Sequence, residues 1–287
     1  MNGAPLRSVN PPAMTKVIGI VNVTPDSFSD GGRWADPAAA VEHASRLVHE
    51  GADVIDIGGE STRPGALPVP VAEEIRRVVP VVAEVVRRHP HTPVSVDTSK
   101  AEVARRALDA GATIVNDVTA LRGDPTMAEL LRTHPELRVV LMHMVGTPVT
   151  MQRNPVYGDV VRDIRAFFAE RIAFCRSRGI SPERIILDPG IGFGKTTAHN
   201  LAILRRVDDF REHDGIRYPI LIGLSRKSFI GRILGSEDDP LPVPQREAGT
   251  LALHAYCIQR NVDFLRVHDV RAAVHAVRVL AMLRIAA

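Results

Sequence analysis

The stretch Ile185–Lys195, I-I-L-D-P-G-I-G-F-G-K, carries an acid from a short apolar run into a turn holding three glycines. Ile185, Ile186 and Leu187 are too few and too branched for a helix, and Pro189 cannot donate to a sheet, so a strand ends at Asp188. Gly190, Gly192 and Gly194 open backbone conformations closed to other residues and let the main chain pass close to a flat ligand. Gly194, Lys195 and Thr196 imitate the end of a phosphate-binding P-loop. That motif needs a glycine five places before Gly194, where the chain has Pro189, so the P-loop reading fails. The segment reads as a strand feeding a site-building loop.

The same plan recurs along the chain. Strands are expected at Lys16–Val23, Asp53–Ile57, Pro93–Val96, Thr113–Val115, Arg138–Met142, Ile185–Leu187, Pro219–Ile222 and Asp263–Val267. Helices are expected between them: one opening at Asp36 and Pro37 and ending at Gly51, one over Val71–Arg88 that Pro80 must kink or split, and Lys100–Ala110, Asp159–Arg178, Gln245–Arg260 and a last one from Asp269. Eight near-continuous apolar strands alternating with helices over about 250 residues predict a single (β/α)8 barrel, because such strands are buried on both faces. A doubly wound sheet would carry G-x-G-x-x-G after its first strand, where this chain has N-V-T-P-D-S. Residues 1–13 read as a loose tail and 14–287 as one domain.

Composition narrows the function. Of 287 residues, 45% are hydrophobic, 24% charged and only 4% aromatic, which describes a globular protein with an aliphatic core. The net charge of +3 comes from dispersed arginines without basic runs, so nucleic acid is not an expected partner. No segment reaches the roughly 18 apolar residues of a membrane span, and the first residues lack the apolar core of a signal peptide. The two cysteines, Cys175 and Cys257, fall in amphipathic helical segments and read as buried hydrophobes in a reducing, cytoplasmic setting.

In a barrel the site lies at the C-terminal mouth, so what each strand presents there is informative. Asn22, Asp97, Asn116, His143, Asp188, Lys227 and the pair Arg266 and His268 follow apolar runs from seven different strands. Singly, each could be a helix cap or a solvated turn; together they form a site. Asp97, Asn116, Asp188 and Lys227 suit a flat heterocycle with donors and acceptors, Asp188 pairing with a guanidine-like edge. Arg63, Arg266, His268 and the helix start at Ser225–Ser228 suit an anion. Asn22, with Asp26 and Asp30 nearby, offers hard oxygens appropriate to Mg²⁺. No dedicated zinc spacing occurs.

These motifs resemble the dihydropteroate synthases along nearly the whole chain. The resemblance rests on N-V-T-P-D-S-F-S-D-G-G (22–32), D-I-G-G-E-S-T-R-P-G (56–65), V-D-T-S-K (96–100), N-D-V (116–118), M-H-M-V-G-T-P (142–148), L-D-P-G-I-G-F-G-K-T (187–196), S-R-K-S-F-I-G (225–231) and R-V-H-D-V (266–270). Val145 stands where that family often has a polar or basic residue, and Arg246–Thr250 match its R-L-x-G-T turn only in part. The resemblance implies condensation of 6-hydroxymethyl-7,8-dihydropterin diphosphate with 4-aminobenzoate, giving 7,8-dihydropteroate and pyrophosphate. It implies pterin binding by Asp97, Asn116, Asp188 and Lys227, and diphosphate binding by Asn22, Arg63, Arg266 and His268 with Mg²⁺ at Asn22. Thr62, Pro64, Phe193 and Ser228 would border the 4-aminobenzoate, and the protein would be a homodimer. Asp97, Asp188, Lys227, Arg266 and His268 are the candidates for the chemistry itself. The loops Thr24–Arg33 and Gly58–Ala66 are expected to close over the anion before 4-aminobenzoate binds. Two other readings share the Asp-Asn-Asp pocket: a methyltetrahydrofolate corrinoid methyltransferase, which has no use for the anion-binding residues, and a non-catalytic pterin-binding paralogue.

Overall fold

The computed structural model describes residues 14–24, 37–63 and 65–285. The expected tail, Asp26, Asp30, the helix cap Asp36, Pro64 and most of the Thr24–Arg33 loop lie outside the described residues. Ten strands are present among them: β1 Lys16–Asn22, β2 Val54–Gly58, β3 Val94–Asp97, β4 Ile114–Asp117, β5 Arg138–Met142, β6 Ile185–Asp188, the short pair β7 Glu212–His213 and β8 Ile216–Arg217, β9 Leu221–Ile222 and β10 Phe264–Val267. Eight of them form one all-parallel sheet in the order β6-β5-β4-β3-β2-β1-β10-β9. A parallel bridge from Leu187 to Ile220, with Leu187 N–H donating to the Pro219 carbonyl at 2.9 Å, joins the two ends into a barrel. The predicted (β/α)8 architecture is what the chain adopts.

Nine helices surround it among the described residues: α1 Pro37–His49, α2 Val71–Arg88, α3 Ala101–Asp109, α4 Met127–Thr133, α5 Val160–Ser177, α6 Thr197–Arg205, α7 Ser228–Leu234, α8 Glu247–Gln259 and α9 Val270–Ile285. The expectation that Pro80 splits the second helix needs partial correction, because α2 runs through it as one element. Proline inside a helix costs about 3 kcal/mol, but Val78, Val81, Val82 and Val85 are fully buried on one face, and each such burial is worth about 1.5 to 3 kcal/mol. Packing outweighs the lost hydrogen bond. The antiparallel pair β7–β8 and the short helices α4 and α6 were not anticipated; α6 is opened by Thr196, whose hydroxyl accepts from His199 N–H.

Side chains on a strand alternate between faces. Outside the barrel, aliphatic residues such as Val21, Ile57, Val96, Val115 and Leu187 pack against the helices. Inside it, Ile18, Val54, Ile114, Val140, Ile186, Leu221 and Phe264 form a separate apolar floor. Two residues further up the same inward face, Val54 gives way to Asp56, Ile114 to Asn116, Ile186 to Asp188 and Phe264 to Arg266. The period of two thus turns an apolar floor into a polar mouth within one step. Cys175 and Cys257 are buried in α5 and α8.

Candidate active site

Register brings the polar residues to one level: Asp97 pairs with Asn116 and Gly58 with Asp97 across β2, β3 and β4. Arg266 on β10 reaches across the mouth to them. Its Nε donates to Asp56 Oδ2 at 2.6 Å and its Nη2 to Asp97 Oδ2 at 2.6 Å, while Asn116 Nδ2 donates to Asp56 Oδ2 at 3.1 Å. Arg266, expected to serve the anion, is therefore tied to Asp97, expected to serve the heterocycle, so the two groups form one network. Burial alone would lower the Arg266 pKa, but Asp56 and Asp97 more than reverse this and hold its charge. Burial pushes Asp97 up to about 7 against the pull of Arg266.

Asp188 lies on the opposite wall. Its Oδ1 accepts from Gly190 N–H at 2.7 Å, and burial raises it to about 6 although that bond and Lys227 favour the charged form. Lys227 precedes α7 and places its Nζ 3.9 Å from the centre of the Phe193 ring. Burial lowers it to about 8. The glycine turn is compressed here: Gly190 has a positive φ of 69°, and a Cβ at that position would stand 2.0 Å from the His143 carbonyl oxygen. No other residue fits.

The anion-side residues sit nearer the rim. His268 is held neutral, its pKa lowered to about 3 by burial and by Arg226, Arg266, Arg63 and Lys227, and its Nδ1 lies 3.1 Å from Ser225 Oγ. A neutral imidazole of this kind can still donate one hydrogen bond to an anion. Ser228, the first residue of α7, and Arg63 are exposed, and Thr62 is half-buried beside Arg63. Pro64 lies outside the described residues. Arg246, in the stretch that matches the family pattern only in part, donates to the carbonyls of Arg226 at 3.0 Å and Leu241 at 2.7 Å and so braces the S-R-K-S loop.

Asn22 ends β1 and is half-buried. Among the described residues no group of three or more His, Cys, Asp or Glu could hold a metal ion. A single amide oxygen fits Mg²⁺ only if water and substrate oxygens complete its shell, the usual habit of that ion.

Three contributors escaped the sequence reading. Asp56 lies inside β2, fully buried, rather than at its end. Asp117 turns away from the mouth to accept from Thr119 N–H, Thr119 Oγ1 and Leu121 N–H, holding the left-handed pair Ala120 and Leu121. Lys195, which imitates a P-loop lysine, is buried and forms no ion pair among the described residues: its Nζ donates to the Phe193 carbonyl at 2.9 Å and the His143 carbonyl at 3.3 Å and lies 3.0 Å from His143 Nδ1. It pins the loop carrying Phe193 and Asp188. Burial lowers its pKa to about 7, so between there and its unfolded value only the unfolded chain binds the proton, and stability rises with pH. The stability of the parent minus that of Lys195→Met should therefore climb from pH 7 to pH 9, by at most about 1.4 kcal/mol per pH unit. Urea melts at these two pH values check it; a flat difference would mean that Lys195 stays charged.

With this geometry in view, the likeness to known proteins is extensive. A family described as pterin binding enzyme matches residues 18–268. The dihydropteroate synthase of Escherichia coli is 44% identical over 264 residues, covering 92% of this chain and 90% of that protein. The structure of Xanthomonas albilineans dihydropteroate synthase with 4-aminobenzoic acid superposes with a TM-score of 0.85 at 47% identity, covering 94% of this chain and 93% of that one. A second structure of the Xanthomonas enzyme, in complex with 7,8-dihydropteroate, gives 0.82 at 45% identity and covers 94% of both chains. A barrel with this mouth and this degree of likeness over nearly its full length belongs to the pterin binding enzyme family, and within it to the dihydropteroate synthases.

Proposed function

We infer that the chain joins 6-hydroxymethyl-7,8-dihydropterin diphosphate to 4-aminobenzoate, forming 7,8-dihydropteroate and releasing pyrophosphate. The observation that carries this reading is one continuous mouth in which acids and an amide, suited to a heterocycle, are tied to an arginine suited to a diphosphate. Asn116, Asp97 and Asp188 would hold the pterin with Lys227. Arg266, His268, Arg63 and Asn22 would face the diphosphate. Phe193, Thr62, Pro64 and Ser228 would border the 4-aminobenzoate, whose carboxylate is directed to the exposed start of α7.

The chemistry follows from the substrates. The amine of 4-aminobenzoate is a nucleophile at pH 7 without a base. The C–O bond to diphosphate breaks with its electron pair going to the departing oxygen, the nitrogen lone pair forms the new C–N bond, and the nitrogen then loses a proton. Arg266, already held in place, offers a preorganised positive charge where negative charge grows. Asp97 and Asp188, both buried at the mouth, would favour positive charge on the pterin as its methylene becomes electrophilic. Bound Mg²⁺ would supply further neutralisation of the leaving group. The 4-aminobenzoate slot is completed by the loop after β2, so diphosphate is expected to bind first.

Incubation with both substrates and mass detection of 7,8-dihydropteroate tests the assignment. Methyl transfer from methyltetrahydrofolate to a corrinoid, or pterin binding without turnover, would replace it with one of the two alternatives above. Chelation should abolish turnover, and Asn22→Ala should raise the Mg²⁺ concentration giving half-maximal rate about tenfold; a rate indifferent to chelator would remove the metal. We also propose a homodimer in the cytoplasm. Val279, Met282 and Leu283 on α9 and Leu251 on α8 are exposed apolar residues a second copy would cover, and sedimentation as a single chain would count against it. No helix among the described residues is long and apolar enough to cross a membrane.

A further inference from the structure

Beneath the mouth lies an acid to which the functional reading gives no contact with substrate. Asp56 is fully buried, on the inward face of β2 two residues above Val54. Its Oδ2 accepts from both Arg266 Nε, at 2.6 Å, and Asn116 Nδ2, at 3.1 Å, whereas its Oδ1 is buried without a hydrogen-bond partner. It borders a small internal cavity with Ser95, Asn116 and Arg266 on its polar side. We propose that Asp56 is a positioning residue for the synthase reaction, fixing the amide of Asn116 and the guanidinium of Arg266 in the orientations that pterin and diphosphate require. The proposal rests on the functional reading above.

Arginine is always a donor, so the oxygen it meets is an acceptor, and an Asn116 turned the other way would set its own oxygen against Asp56 Oδ2. Asp56 thereby forces Asn116 to show Oδ1 and one remaining N–H to the mouth, which selects a ligand edge of alternating donor and acceptor. Holding the planar guanidinium of Arg266 by Nε on Asp56 and Nη2 on Asp97 fixes its plane and leaves Nη1 to meet an anion. Stability alone does not account for the acid. The floor next to it is aliphatic, a buried ion pair is often no better than well-packed apolar residues, and an orphaned buried oxygen carries its own cost.

The test uses calorimetric titration of the full chain with 6-hydroxymethyl-7,8-dihydropterin and with inorganic pyrophosphate plus Mg²⁺. Asp56→Asn is nearly isosteric, and circular dichroism with thermal melting reports whether it folds. It should weaken both ligands about tenfold and change the KM for 4-aminobenzoate less than twofold, a split that general loosening of the barrel would not give. In an Arg266→Gln background, Asp56→Asn should leave pyrophosphate affinity unchanged, there being no guanidinium left to aim, but should still weaken the pterin severalfold through Asn116. This charge-balanced pair decides the matter if Asp56→Asn alone does not fold. Parent-like affinities in Asp56→Asn, or a full tenfold loss of pyrophosphate affinity on adding it to Arg266→Gln, would overturn the inference. Parent protein that binds neither ligand would overturn the functional reading and this inference with it.

Discussion

Asp188→Asn is expected to yield a protein more stable than its parent at pH 8 that binds the pterin about 10- to 100-fold more weakly. The two effects share one cause. Burial raises the folded-state pKa of Asp188 to about 6 from an ordinary 3.8, so the folded chain holds this proton more tightly than the unfolded chain. The associated stability is fully present below pH 4 and is lost as pH rises through 6, leaving the ionised acid as a cost on the order of 3 kcal/mol at pH 8. Asparagine removes that cost and keeps an oxygen for Gly190 N–H. It also turns an N–H toward the donor edge of the ring, and losing a charge-assisted hydrogen bond costs about 1.5 to 3 kcal/mol. Urea melts should show the variant ahead at pH 8 and level at pH 4, with calorimetry showing the lost affinity. A variant less stable at pH 8, or one with parental affinity, would take Asp188 out of the role given to it.

The second large effect is expected at Arg266. Arg266→Ala leaves Asp56 and Asp97 buried and facing each other without a cation, and removing one partner of a buried pair costs about 3 to 5 kcal/mol. The loss should shrink at low pH, where Asp97 can take up a proton, and adding Asp56→Asn should recover part of it. Turnover should fall about 100- to 1000-fold in kcat, the scale seen when one preorganised charge-stabilising donor is removed. Thermal melts at pH 5 and 8 with steady-state kinetics check both parts. Parental stability at pH 8 would mean that the network does not carry net charge as drawn, and an unchanged kcat would separate Arg266 from the leaving group.

These residues differ in how legible they were. A strand end is visible in sequence because an apolar run stops, which exposed Asp97, Asn116 and Asp188 and gave the barrel from the recurrence of such runs. Asp56 was not visible in that way, since Ile57 continues the run past it. Reading the strands at their period of two, with Val54–Asp56 beside Ile114–Asn116 and Phe264–Arg266, would have found it. Lys195 was recognisable only as a false P-loop residue, because the His143 and Phe193 carbonyls that hold it come together only in the folded loop. The neutrality of His268 likewise arises from burial and four surrounding cations, of which Arg226, Arg63 and Lys227 are distant in sequence. Pro80 marks the opposite limit. Local chemistry argues for a break, and four buried valines in the same helix override it.

The mouth is expected to break a C–O bond to diphosphate and give the carbon to an aromatic amine. Continuous detection of pyrophosphate, with each substrate omitted in turn, tests it most directly. Sustained release is expected only when the pterin diphosphate and 4-aminobenzoate are both present, in equal amount to the 7,8-dihydropteroate formed. No release with both present, or dihydropteroate appearing without pyrophosphate, would contradict it.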